Sequence, residues 1–154
     1  MVTKMQVENA QRAWGEGIVS IAAAHNTGMD YVERARTHIK SLYAYDISPV
    51  LFKPTLAVDN QFRPTFEGAL SYFVAGNDEY SEDKGFAIKG WTKVRFENEG
   101  IIINGKSAIA MGNYFFMTPE GDEVKVEFSF GYIVDSGGSL RINLHHSSIP
   151  ASLE

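Results

Sequence analysis

Four side chains are of types that could act together on a small polar ligand if the fold brought them to one place: Thr55, Tyr72, His145 and Ser147. His145 and Ser147 stand two apart in Leu144-His145-His146-Ser147-Ser148-Ile149-Pro150. That stretch reads as the last β-strand, begun after Gly137-Gly138 and closed by Pro150. Successive side chains of a strand point to opposite faces. Arg141, Asn143, His145 and Ser147 are therefore expected on one face. Ile142, Leu144, His146 and Ser148 are expected on the other. Thr55 closes an earlier short strand, and Tyr72 flanks the apolar side of a short helix. Together they would make a pocket of neutral hydroxyls with one imidazole. Each also has a purely structural use: Thr55 as a cap or strand end, Tyr72 as core, Ser147 as a strand end.

Two other chemistries compete for the same residues. A zinc ion held by three histidines would have to join His145 or His146 to His25 and His38. His145 and His146 point apart on a strand, and no HExxH-type motif is present. A serine nucleophile with a histidine base could use Ser147 and His145. That pair lacks an orienting carboxylate in sequence reach, and there is no G-x-S-x-G elbow. No glycine-rich phosphate loop occurs, and Gly137-Gly138 reads as a turn. Trp14 and Tyr43 read as core.

The elements that must position these groups are legible in order. Thr3-Lys4-Met5-Gln6 fits a capping box, and Val7, Ala10, Trp14, Ile18, Ile21 and Ala22 recur at helical spacing up to His25-Asn26. Gly15 and Gly17 inside it predict close packing against another element. A second helix restarts after Thr27–Asp30 and is ended by Asp46-Ile47-Ser48-Pro49. Val50–Thr55 is a short strand, Thr65–Ala75 a third helix stopped by Gly76, and Asn77–Lys84 an acidic loop of mobile character. From Phe86 the period becomes two, with Phe86, Ile88, Val94 and Phe96 opposite Lys89, Trp91, Lys93 and Arg95. Asn104-Gly105 marks a tight hairpin. Ser107–Thr118 and Glu123–Val134 are the next strands, the latter carrying Val124, Val126, Phe128, Phe130, Tyr132 and Val134 on one face. This order predicts an α+β fold: three helices in the N-terminal half against one face of a strongly curved antiparallel sheet, a cone around an interior pocket.

Composition narrows the functions. The 154 residues suit a single domain, 1–154, able to bury roughly 70% of its unfolded surface. The net charge of -5 argues against nucleic acid. The absence of cysteine excludes disulfides and thiolate chemistry. No apolar run approaches the ~18 residues of a membrane span, and no signal pattern opens the chain. A cytoplasmic protein with no membrane partner is expected.

Three segments carry a resemblance: Leu51-Phe52-Lys53-Pro54-Thr55, Phe66-Glu67-Gly68-Ala69-Leu70-Ser71-Tyr72-Phe73, and Leu144-His145-His146-Ser147-Ser148-Ile149-Pro150. Together they resemble the iota-class carbonic anhydrases, from about residue 5 to Pro150. The ending is also similar to that of the calcium/calmodulin-dependent kinase association domain, with Ser148 where that domain has glycine. Both belong to the cone-shaped superfamily of nuclear transport factor 2 and the ketosteroid isomerases. The resemblance implies reversible hydration of carbon dioxide to bicarbonate, with no metal or other cofactor required. It implies that Thr55, Tyr72 and Ser147 contact bicarbonate, with His145 nearby to accept or relay the proton. It also implies a homodimer through the outer sheet face, where Trp91 would suit the contact. Ser147 is preferred to Ser148 because it shares the face of His145. Alternatives remain within the superfamily: a non-catalytic oligomerisation or ligand-binding module, metal-dependent hydration, or an isomerase or hydrolase using Asp59 or Glu127 as base.

Overall fold

The computed structural model describes residues 1–153, so Glu154, the last residue of the expected domain, lies outside the described residues. Helix α1 (Lys4–Asn26) starts at Thr3, whose hydroxyl accepts from the Gln6 amide while the Gln6 side chain accepts from the Thr3 amide, the expected capping box. Helix α2 (Tyr31–Leu42) is capped by Asp30. It stops at Leu42, before the expected Asp46–Pro49 breaker. Tyr43 turns extended and bridges to Ile142, and the Arg141 guanidinium takes up the carbonyls of Lys40 and Tyr43 left over at the helix end. Strand β1 (Leu51–Lys53) is followed by α3 (Phe66–Val74), capped by Thr65. Then come β2 (Lys93–Asn104), β3 (Ser107–Met117), β4 (Glu123–Val134) and β5 (Leu140–Ser148).

The strands form one sheet in the order β1-β5-β4-β3-β2. The sheet is mixed rather than wholly antiparallel, because β1 pairs parallel with β5. Its curvature is helped by register shifts at Asn98/Gly100 on β2 and Gly131/Tyr132 on β4. The three helices close its concave face, giving an open-edged cone. The core follows the predicted alternation of β4: Val126, Phe128, Phe130 and Tyr132 all point inward. Both interior glycines of α1 mark close approaches. A Cβ on Gly15 would sit 3.1 Å from Val94 Cβ, and one on Gly17 only 2.0 Å from His38 Nδ1.

Three local expectations are corrected. Phe86–Ile88 is a 3₁₀ turn, not the start of a strand. Gly90, at φ 81°, then reverses the chain, so alternation holds only from Lys93. Trp91 therefore faces inward: it is buried, its indole donates to the Phe86 carbonyl at 2.8 Å, and its ring packs on Phe116. It is not available for a contact on the outer face. The Asn77–Lys84 loop is anchored rather than free. The Glu82 carboxylate accepts from the amides of Val58, Asp59 and Asn60, and Asp83 pairs with the fully buried Arg63. Among the described residues, no helix is long and apolar enough to cross a membrane.

Candidate active site

The last strand carries an extra residue. Gly131 pairs with Leu144 but Tyr132 pairs with Ile142, which leaves Asn143 unpaired as a bulge. The expected single face is therefore broken. Leu140 and Ile142 point into the cone before the bulge, and His145 and Ser147 point into it afterwards. Arg141 leaves that face to cap α2. His146 is exposed on the outer face, and the Ser148 hydroxyl there donates to Glu127 at 2.8 Å. Ser147, not Ser148, is the interior serine.

His145 is set by register. Its Cα partners are Phe130 on β4 and Phe52 on β1. Both rings stack on the imidazole, at 4.1 Å and 4.8 Å between centroids. With both faces covered by phenyl groups, only the ring edges can hydrogen-bond. Nδ1 meets the Tyr43 hydroxyl at 2.8 Å and Nε2 the Tyr114 hydroxyl at 3.0 Å. Burial pushes the imidazole well below its ordinary pKa, with His146 and His38 adding to the effect. It is a neutral ring.

Hydroxyls lead from that ring to a small cavity. The Tyr114 hydroxyl donates to Ser147 Oγ at 2.5 Å, and Ser147 Oγ shares a 2.5 Å bond with Thr55 Oγ1. Thr55 lies in the turn after Pro54, beyond the end of β1, and is half-buried. Tyr72, on α3, accepts from the Leu56 amide at 3.2 Å. Burial pushes its phenol up to about 12, against the pull of the Leu56 and Thr55 hydrogen bonds. Burial likewise raises Tyr114. The cavity is very small, about 10 Å³, close to the room that a single water needs. Trp14, Phe52, Phe73 and Phe86 make its apolar walls, and Thr55, Tyr72, Tyr114, Ser147 and His145 its polar side. All four residues singled out in the sequence meet here.

Tyr43 is core, as its sequence suggests, but it and Tyr114, which the sequence does not single out, also hold the two ring nitrogens of His145. Tyr114 sits between Gly112 and Phe116 on the inward face of β3, and a tyrosine in a run of core positions is a buried hydroxyl that needs a partner. Tyr43 accepts from the Trp14 indole at 3.0 Å, so the chain reaches across the core to α1. Arg63 was missed as well. It is fully buried, holding Asp83 with two bonds of 2.8 Å and the Gly68 carbonyl with another, and so ties the 54–64 loop onto α3.

The other chemistries do not assemble. Among the described residues no group of three histidine, cysteine or carboxylate side chains could hold a metal ion. No carboxylate lines the cavity. Asp59 and Glu127 are both exposed, Asp59 on the loop and Glu127 on the outer sheet face.

Fold and cavity define a cone-shaped domain with a small interior cavity lined by hydroxyls. Comparison with known proteins agrees. A curated metal-independent carbonic anhydrase from Nostoc sp. (strain PCC 7120) is 40% identical over 97% of this chain and 74% of its own length. The crystal structure of the iota-carbonic anhydrase from a cyanobacterium, complexed with bicarbonate, matches with a TM-score of 0.96 at 40% identity, covering 98% of this chain and 94% of that one. A protein described as a calcium/calmodulin-dependent protein kinase II association domain, from Xanthomonas campestris, matches at a TM-score of 0.56 and 23% identity over 87% of this chain and 83% of that one, a likeness of fold alone. The profile of the metal-independent carbonic anhydrases matches residues 5–149. The chain belongs to that family.

Proposed function

We propose that this protein reversibly hydrates carbon dioxide to bicarbonate in the cavity between α3 and β5, with Tyr72, Thr55 and Ser147 contacting the substrate. The observation that carries the reading is the run of 2.5 Å hydroxyl contacts Tyr114–Ser147–Thr55 beside the Tyr72 phenol, in a fold of this family. Carbon dioxide is apolar and suits the aromatic walls. Water attacks its carbon, one C=O pair moves onto oxygen, and charge develops on the bicarbonate oxygens. The hydroxyls that line the cavity are already in place to donate to that charge, so little reorganisation is needed. The proton lost by the attacking water passes to solvent on the side of half-buried Thr55. His145 acts behind the hydroxyls, through Tyr114, as a positioning residue.

The test is carbon dioxide hydration by stopped-flow with a pH indicator, on chelator-treated protein of measured metal content. Tyr72→Phe and Ser147→Ala are expected to fold normally and lose on the order of 10² to 10³ in rate. Full activity in both variants would sink the site.

We also propose that two copies pair through the outer face of the sheet. Ile102 and Ile109, direct partners across β2 and β3, are exposed there together with Met111, and a second copy would cover them. Light scattering of the native protein and of Ile109→Lys decides this; a native monomer rejects it.

A further inference from the structure

We propose that Trp14 and Tyr43 are positioning residues that fix the direction of the hydrogen bonds ending in the cavity, and so the number of hydrogens it offers an anion. The inference rests on the carbonic anhydrase reading of that cavity.

An indole N–H can only donate. Trp14 Nε1 donates to the Tyr43 hydroxyl at 3.0 Å, and both side chains are buried. The other neighbour of that hydroxyl is His145 Nδ1 at 2.8 Å. Tyr43 has one hydrogen. If it does not go to Nδ1, it is a buried donor with no acceptor. Nδ1 is therefore an acceptor, and the single hydrogen of the neutral ring sits on Nε2. From there Nε2 donates to Tyr114 at 3.0 Å, and Tyr114 passes its own hydrogen to Ser147 at 2.5 Å. The heavy-atom angles of the Tyr114–Ser147 contact suit a bond donated by Tyr114. Every link then points from the core to the cavity.

Counting hydrogens shows the consequence. Ser147 shares one bond with Thr55, and Thr55 also bonds the Tyr72 phenol, which accepts from the Leu56 amide as well. The three hydroxyls own three hydrogens and make two bonds among themselves, so one O–H remains to donate to an oxygen of bicarbonate. If the chain ran the other way, Thr55 would donate to Ser147, Ser147 to Tyr114 and Tyr114 to Nε2. Tyr72 would give its own hydrogen to Thr55, and the cavity would offer an anion no free O–H. The indole opposes this reversed state: the Tyr43 oxygen would then face two N–H donors, and its own hydrogen would have no acceptor on either side.

The direction is read by nitrogen-15 NMR of the histidine-labelled native protein, with His145 assigned by the signals lost in His145→Gln. The expected state is neutral with the hydrogen on Nε2; a ring carrying it on Nδ1 overturns the proposal. The role of Trp14 is read by placing benzothienylalanine at that position, which keeps the shape of the side chain and removes the N–H. Expected are a shift of the His145 signals toward a mixture of tautomers and about tenfold weaker binding of bicarbonate, the loss of one hydrogen bond to a charged group. Unchanged signals with unchanged affinity overturn it. The tautomer is read without turnover. A native protein that shows the Nε2 tautomer but no hydration would therefore defeat the functional reading and leave the direction of the chain standing.

Discussion

Phe130 and His145 are direct partners across β4 and β5, and their rings stack 4.1 Å apart. Phe52, the partner on the other side, completes the sandwich. Strand register alone thus buries the imidazole between two phenyl rings and leaves it neutral.

That burial has a price in acid. His145 is held well below the ordinary histidine value by burial, and His38, buried against Trp14 and Phe73, is lowered to about 4 for the same reason. In the unfolded chain both take up protons near pH ~6.5. A group depressed in the folded state contributes stability that is complete above the unfolded value and is lost as pH falls toward the folded value. Stability is therefore expected to fall from about pH 6.5 to about pH 4, with each histidine contributing a slope approaching ~1.4 kcal/mol per pH unit. Urea midpoints measured across that range check it, and His38→Gln is expected to flatten the slope by about half. A native protein equally stable at pH 6.5 and 4.5 contradicts the neutral, buried state of both rings.

Tyr114 joins the imidazole to the hydroxyls and has no substitute. In Tyr114→Phe the ring still fills its place, but His145 Nε2 loses its partner and Ser147 Oγ is left with Thr55 alone. The unmade bond is expected to cost about 1–3 kcal/mol in stability. Kcat/KM is expected to fall on the order of 10²-fold, as for loss of one oxyanion donor. Activity within a factor of two of the native protein would show that the chain behind Ser147 does not matter to the reaction.

The elements that could be read from the chain are those whose signals are local. The Thr3–Gln6 capping box, the Asn104-Gly105 hairpin and the alternation of β4 each depend on a few adjacent residues, and each is where the sequence puts it. His145 and Ser147 were legible as an inward pair for the same reason. What could not be read depends on distant partners. The parallel pairing of β1 with β5 joins residues far apart in the chain. The bulge at Asn143 exists because Tyr132 and Gly131 take Ile142 and Leu144 as partners, and no residue within β5 announces it. Trp91 was misplaced because the period-two pattern was carried back across Gly90. Tyr114 and Tyr43 looked like ordinary core because a hydroxyl shows its use only when its acceptor is in view.

Arg63 is the anchor of the loop that carries Thr55. Its guanidinium is fully buried, paired with Asp83 and bonded to the carbonyls of Asn60 and Gly68. Arg63→Met leaves the Asp83 carboxylate with only Ser71 to bond it among these partners. Breaking one side of a buried pair is expected to cost about 3–5 kcal/mol. Hydrogen exchange is expected to rise first at the amides of Val58, Asp59 and Asn60, which the neighbouring Glu82 holds. Unchanged exchange there with a lowered melting temperature would separate the pair from the loop.

Gly17 tests the helix side of the cavity. A Cβ at this position would lie 2.0 Å from His38 Nδ1 and 2.5 Å from its Cε1. His38 cannot simply turn away, because it is packed against Trp14 and Phe73, both of which wall the cavity. Gly17→Ala improves helix propensity by about 1 kcal/mol, but the forced repacking is expected to outweigh that and destabilise by about 1–3 kcal/mol. In the His38→Ala background the obstacle is gone, so the same substitution is expected to be neutral or stabilising. The two changes must then be strongly non-additive, with a coupling of the same order as the cost of the single variant. Chemical denaturation of the four proteins of this cycle measures it. Additive effects would mean that α1 and α2 can part at Gly17 without disturbing His38, and that the wall of the cavity is softer than its packing implies.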